Sequence, residues 1–247
     1  MPQAGETRGE DVRTFVLVHG AWHGGWCWRR VADLLIRRGH RVFTPTLTGL
    51  AERSHLARRD VNLSTHIDDV VNLLRWEGLS NVVLCGHSYG GMVVSGVAER
   101  APAGAIGSIV FLDAFLPDHG RSLLDYTTAG GREGGPMVEE GERTGFVTPI
   151  PAEVFAVNLA DRVWVDAQCT PQPYATLTEK AEMTGARDRI ARKTYVLATG
   201  YGGLAFPTFA AKVSDRADWT YREVPCGHDV MLDAPERLAE ILEEAAG

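Results

Sequence analysis

The sequence predicts an α/β fold: a mostly parallel sheet with helices on both faces and a helical insertion above one sheet edge. Three observations carry that expectation. Short, continuously apolar runs rich in β-branched residues (Phe15-Val16-Leu17-Val18, Val82-Val83-Leu84, Ile109-Val110-Phe111-Leu112) suit strands buried on both faces. Segments with helical periodicity separate the runs, so each strand can return parallel to the last through a crossover helix. The alternation breaks between about 117 and 191, where Gly130-Gly131, Gly134-Gly135-Pro136 and Pro149-Ile150-Pro151 accumulate.

In chain order, Arg13–Val18 predicts the first strand, ending in the Gly-rich turn His19-Gly20-Ala21-Trp22-His23-Gly24-Gly25. An amphipathic helix is expected over Trp26–Arg38, closed by Gly39, with a strand over Arg41–Thr44 ahead of Pro45. After a polar loop at 47–62, Ser64 reads as the N-cap of a helix with acids in its first turn, and Gly78 ends that helix. Strands follow at Val82, at Ile109–Asp113, at Lys193–Ala198 and at Trp219–Val224, and an amphipathic helix runs from Ala234-Pro235 through Ala246. Helical stretches are expected near 152–160 and 175–183 inside the insertion. The organisation is thus a polar tail (1–12), a core made of 13–116 and 192–247, and a cap at 117–191.

Composition narrows the function class. The 247 residues suit one α/β domain carrying an insertion, and 45% apolar with 23% charged residues is ordinary for a globular protein. A net charge of −7 without a long basic cluster speaks against nucleic acid or anionic membrane as partners. Four cysteines lack C-x-x-C spacing, so neither a zinc site nor a disulfide framework is indicated. No apolar leader is visible and no apolar run approaches about 18 residues, so a cytoplasmic location is the expectation. No phosphate-binding loop or metal cluster is present, so no cofactor is implied.

The chemistry centres on Val82-Val83-Leu84-Cys85-Gly86-His87-Ser88-Tyr89-Gly90-Gly91. A strand running into G-x-S-x-G ahead of a helix is the pattern of a nucleophile elbow, a tight turn that exposes one serine hydroxyl. A lone hydroxyl is a weak nucleophile and needs a base. Among the eight histidines, His228 follows the last strand on a Gly-flanked loop, and it is the candidate base.

The HGAWHGGW segment, the GHSYGG elbow and Cys226-Gly227-His228-Asp229 together resemble the α/β-hydrolase superfamily, which implies the α/β-hydrolase fold over residues 13–245. More narrowly they resemble the branch of methylesterases, hydroxynitrile lyases and bacterial carboxylesterases such as pyrethroid hydrolases. The resemblance implies an oxyanion hole from the N–H groups of Tyr89 and Ala21, with Trp22 as runner-up for the second. It places the acid of the triad after the penultimate strand, at Thr199-Gly200-Tyr201-Gly202-Gly203, where this sequence has no carboxylate. The superfamily's alternative position, the end of the preceding strand, holds Asp113, and a charge closing a buried strand needs a partner. Asp215 and Asp188 lie farther from strand ends, and Asp229 adjoins His228 too closely to turn back to it. Lyases of this branch carry threonine at the position of Gly20 and lysine directly after the histidine, where Asp229 stands, so lyase activity is disfavoured. Trp22, Trp164, Phe155 and Tyr201 are candidates for an apolar substrate pocket.

The expected function is a cofactor-independent serine hydrolase cleaving a small to medium, largely apolar carboxylic ester. Lactone or C–C bond hydrolysis with the same triad is the alternative, and a non-catalytic small-molecule receptor is the reading from another class. The expected partner is a small ester; a homodimer is left open.

Overall fold

Parallel strands need crossovers, and the order in which crossovers leave and return decides where a crevice opens at the sheet's carboxyl edge. The computed structural model describes residues 12–127, 135–202 and 206–247. The chain enters the sheet at β1 (Thr14–Val18), crosses through α1 (Arg29–Arg37) to β2 (Arg41–Phe43), and returns through α2 (Leu63–Trp76) to β3 (Val82–His87). It then moves one way only, through α3 (Gly90–Arg100) to β4 (Ile106–Leu112). Next come α4 (Leu124–Thr127), α5 (Gly135–Thr144), β5 (Phe146–Val147), α6 (Arg162–Gln168), β6 (Gln172–Pro173) and α7 (Ala175–Thr178). The sheet resumes at β7 (Arg192–Ala198), followed by α8 (Phe206–Ala211) and β8 (Thr220–Val224), and the chain closes with α9 (Val230–Asp233) and α10 (Pro235–Ala246).

The six-stranded sheet has the order β2-β1-β3-β4-β7-β8, and every pairing in it is parallel. Because β1 leads outward to β2 while β3 leads the other way to β4, the chain direction reverses between β1 and β3. The loops after those two strands therefore diverge and leave a crevice between them. Right-handed crossovers put α1 and α10 together on one face and α2 and α3 together on the other. Both faces being covered, β3 and the last five residues of β4 are buried, which explains the apolar runs Val82–Cys85 and Ile109–Leu112 within them.

Residues between β4 and β7 carry the short helices and an antiparallel two-stranded ladder, β5–β6. Arg30 of α1 binds Asp161 there through two hydrogen bonds of 2.7 Å. No helix among the described residues is long and apolar enough to cross a membrane. The polar tail lies almost wholly outside the described residues, as do Gly130-Gly131 and Gly134.

Local expectations fail where tertiary bonds compete. The segment after Gly24 opens as a 3₁₀ turn over Gly25–Trp28 before α1 starts at Arg29, three residues after the expected start at Trp26. Asn62, not Ser64, caps α2: its side chain accepts from the Thr65 N–H at 2.9 Å, in a reciprocal capping box. Ser64 is drawn off by Glu179, which accepts from both its N–H and its hydroxyl at 2.7 Å. Glu179 is in extended backbone geometry, so α7 ends at Thr178, well short of 183. Residues 152–160 form consecutive turns, broken by Ala156 at φ 55°, and the helix forms later, over Arg162–Gln168.

Candidate active site

The elbow is built by steric exclusion. β3 ends at His87, α3 starts at Gly90, and Ser88 between them has φ 52°, a left-handed conformation that costs a non-glycine residue about 1–2 kcal/mol. Close packing supports that strain. A Cβ on Gly86 would stand 2.5 Å from the Gly90 carbonyl oxygen, and one on Gly90 would stand 2.8 Å from that of Val18. Only glycine permits strand, turn and helix to approach this closely. Ser88 is tied into the sheet, donating from N–H to the Leu112 carbonyl at 3.2 Å and accepting from Phe115 N–H at 3.1 Å. Its own side is half-buried, while His87 and Tyr89 on either side are buried.

Asp113 follows β4 directly, also in a left-handed conformation, φ 41°. Its N–H donates to Val196 O at 2.7 Å, and its Oδ1 accepts from Ala198 N–H at 3.1 Å. Its Oδ2 lies 2.6 Å from His228 Nδ1, with both groups buried. A carboxylate only accepts, so Nδ1 carries the imidazole proton and Nε2 is left as the basic nitrogen. Aromatic rings fix the plane of His228: Phe206 stacks on it at 4.9 Å, with Tyr201 at 5.0 Å and Phe155 at 5.3 Å. Ser88 and His228 line one apolar cavity. Asp188 and Asp215 are surface groups away from this pair.

Ala21 and Tyr89 also border that cavity. Among the described residues, none accepts a hydrogen bond from the backbone N–H of either. The Trp22 N–H is by contrast occupied, donating to Gln172 Oε1 at 2.9 Å, which removes the runner-up donor. Trp22 sits at φ 64° and is gripped from β5 and from the loop before β6: its indole N–H donates to Val147 O at 3.0 Å, and its carbonyl accepts from Thr170 N–H at 2.9 Å. Gln172, itself fully buried, was not singled out by sequence; a lone glutamine in a Pro-flanked loop gives no signal of this role.

Of the pocket candidates, Trp22 and Phe155 line the cavity. Tyr201 stands behind them, against Phe155 at 6.0 Å and the His228 ring. Trp164 does not reach it. That indole packs edge-on against Trp26 at 4.9 Å, and the cavity is walled instead by Phe115, Ile150 and Phe206.

A second polar cluster lies behind the site. His23 Nε2 is 3.0 Å from Asp229 Oδ2, and His23 Nδ1 is 2.8 Å from the Ala21 carbonyl. Burial opposes charge on both partners, but Asp229 holds the His23 imidazole well above its ordinary range, and His23 holds the Asp229 carboxyl well below its own. His87 donates from Nε2 to the His228 carbonyl at 3.0 Å, and burial together with the neighbouring His228 keeps it neutral. Asp229 therefore faces away from the His228 ring, as its adjacency requires, and serves the loop after β1 instead.

Comparison with known proteins agrees with this fold. The family model described as "Alpha/beta hydrolase family" matches residues 15–241. A carbendazim-hydrolysing esterase of a Nocardioides species is 44% identical over 239 residues, spanning 94% of this chain and 98% of that one. An extracellular α/β-hydrolase from a Paenibacillus species, described as sharing structural and functional homology with tobacco salicylic acid-binding protein 2, superposes with a TM-score of 0.80. It is 26% identical, over 94% of this chain and 98% of that one. A pyrethroid hydrolase from Sphingobium faniae has the same fold, with a TM-score of 0.75 at 23% identity over 95% of this chain and 97% of that one. The chain belongs to the alpha/beta hydrolase family and is a hydrolase of the esterase kind.

Proposed function

We propose that the protein is a serine esterase that works through an acyl-enzyme, with Ser88 as nucleophile, His228 as base and Asp113 as the acid that orients it. One observation carries the reading. The His228 imidazole is held by a buried carboxylate at 2.6 Å, and it shares an apolar cavity with a serine in an elbow conformation. In this mechanism Nε2 of His228 takes the Ser88 hydroxyl proton as Oγ bonds to the ester carbonyl carbon. The N–H groups of Ala21 and Tyr89 hold the resulting oxyanion, each contributing about 3–4 kcal/mol to the transition state. The tetrahedral species collapses by breaking the bond to the alkoxy oxygen, and His228 gives its proton to the departing alcohol. Water then attacks the acyl-enzyme with His228 again as base, releasing the acid and restoring Ser88.

The substrate class is a small to medium, largely apolar ester. The cavity's walls of Phe115, Ile150, Phe155 and Phe206 support that polarity. Likeness over nearly the whole chain to a carbendazim-hydrolysing esterase supports including carbamate esters of aromatic amines, carbendazim among them. Four free cysteines are in keeping with a thiol-reducing, cytoplasmic setting.

The test is a panel of short p-nitrophenyl esters, aromatic methyl esters and carbendazim, run beside a fluorophosphonate probe. Turnover with probe attached to Ser88, both lost by about 10⁴-fold or more in Ser88→Ala, is expected. Probe on another serine, or tight binding of panel members without turnover, would overturn the proposal.

A further inference from the structure

Three loops meet behind the cavity at one buried polar cluster: the loop after β1 through His23, the elbow through His87, and the loop after β8 through His228 and Asp229. The catalytic steps proposed above use neither His23 nor Asp229, yet the Asp229 side chain is wholly buried and that of His23 is 4% exposed. Burying an ion pair has no intrinsic merit for stability, because desolvation offsets most of the attraction, so its retention asks for another reason.

Geometry supplies one. An imidazolium has two N–H donors, and both are used: Nδ1–H to the Ala21 carbonyl at 2.8 Å and Nε2–H to Asp229 Oδ2 at 3.0 Å. Ala21 borders the cavity with no hydrogen-bond acceptor for its N–H among the described residues, and Asp229 directly follows His228. The next residue in the loop, Trp22, is in a left-handed conformation at φ 64°, and the Ala21–Trp22 peptide is held at both ends, its N–H by Gln172 and its carbonyl by His23. Fixing that peptide restrains the Ala21 backbone, and with it the orientation of the Ala21 N–H in the peptide before.

We propose that His23 and Asp229 are positioning residues: their buried pair clamps the loop bearing the Ala21 N–H to the loop bearing His228, keeping the oxyanion donor aligned. The inference rests on the serine mechanism proposed above. The groups facing His23 are Asp229, the Cys169 thiol at 4.0 Å from Nδ1, the His87 ring at 6.2 Å and His19 at the end of β1, with the Trp26 indole stacked on it at 5.1 Å. His87 and His19 are held neutral by burial, so among the described residues Asp229 is the anion in direct hydrogen-bond contact with it.

The test uses the full chain with ¹⁵N-labelled histidine and a p-nitrophenyl ester. The wild type should show one imidazole protonated on both nitrogens at pH 8, above the ordinary histidine range of about 6.5, and Asp229→Asn should lose that signal. Asp229→Asn keeps the shape and hydrogen-bonding capacity of the side chain, so the fold should persist. Its kcat should fall roughly 10–100-fold while KM changes little, since a misaligned oxyanion donor acts on the transition state alone. His23→Gln should fall similarly, and the double variant no further than either single one, as expected for residues acting through one contact. Additive losses, a proportionate rise in KM, or a neutral His23 in the wild type would each overturn the clamp. Failure of the serine mechanism is read separately, as turnover retained by Ser88→Ala; wild-type kcat in Asp229→Asn with Ser88→Ala inactive rejects the clamp alone.

Discussion

Replacing Asp113 by asparagine isolates the charge on the acid, because asparagine also tolerates the left-handed conformation at φ 41°. The magnitude follows from the contact. At the 2.6 Å separation of Asp113 Oδ2 and His228 Nδ1, a full charge pair at an effective dielectric constant of about 20 is worth about 6 kcal/mol. That attraction exists only once His228 takes the serine proton, so it lowers the barrier without tightening substrate binding. At about 1.4 kcal/mol per decade this is about four powers of ten. Asparagine adds a second penalty: its amide can donate to Nδ1, moving the imidazole proton to Nε2, where it can no longer accept from Ser88. We therefore expect kcat to drop by about 10⁴-fold with KM nearly unchanged, measured on a short p-nitrophenyl ester with melting temperature as the folding control. A folded Asp113→Asn enzyme within about tenfold of wild type would refute the reasoning and reopen the search for the acid.

Two other outcomes are expected. Phe155→Ala should shift kcat/KM toward bulkier esters while probe labelling of Ser88 persists, because that ring walls the cavity and touches His228 only through its face; unchanged selectivity across a chain-length series would place the specificity elsewhere. Stability should fall with acidity below about pH 6.5. His19, lowered by burial to about 3, and His66, lowered by burial to about 4, stay neutral in the fold but take up protons in the unfolded chain. The unfolded state thus binds more protons across that window, at up to about 1.4 kcal/mol per pH unit for each histidine. His66 uses both nitrogens, donating from Nε2 to Thr48 O and accepting from the Tyr89 hydroxyl at Nδ1, both at 2.9 Å. Urea midpoints from pH 7 to pH 4 measure the slope, and a flat profile would contradict it.

Much of this was legible in the sequence. Unbroken apolar runs can only be strands covered on both faces, and Gly86 and Gly90 flanking a serine mark a turn too tight for any Cβ, so the sheet and the elbow are encoded locally. The candidate acid was legible through the family resemblance, since the usual position at 199–203 holds no carboxylate and Asp113 stands at the alternative one, closing a buried strand. What only the tertiary structure decided is set by contacts between residues far apart in the chain. Glu179 takes Ser64 from its cap, Gln172 occupies the Trp22 N–H across 150 residues, and Asp229 pairs with His23 across 206. Trp164 is directed to Trp26, and Phe206 to the face of His228, by packing alone. Periodicity and turn chemistry report a residue's own backbone, whereas a hydrogen-bond partner or a ring's neighbour depends on where the fold brings two distant segments, and no local pattern records that.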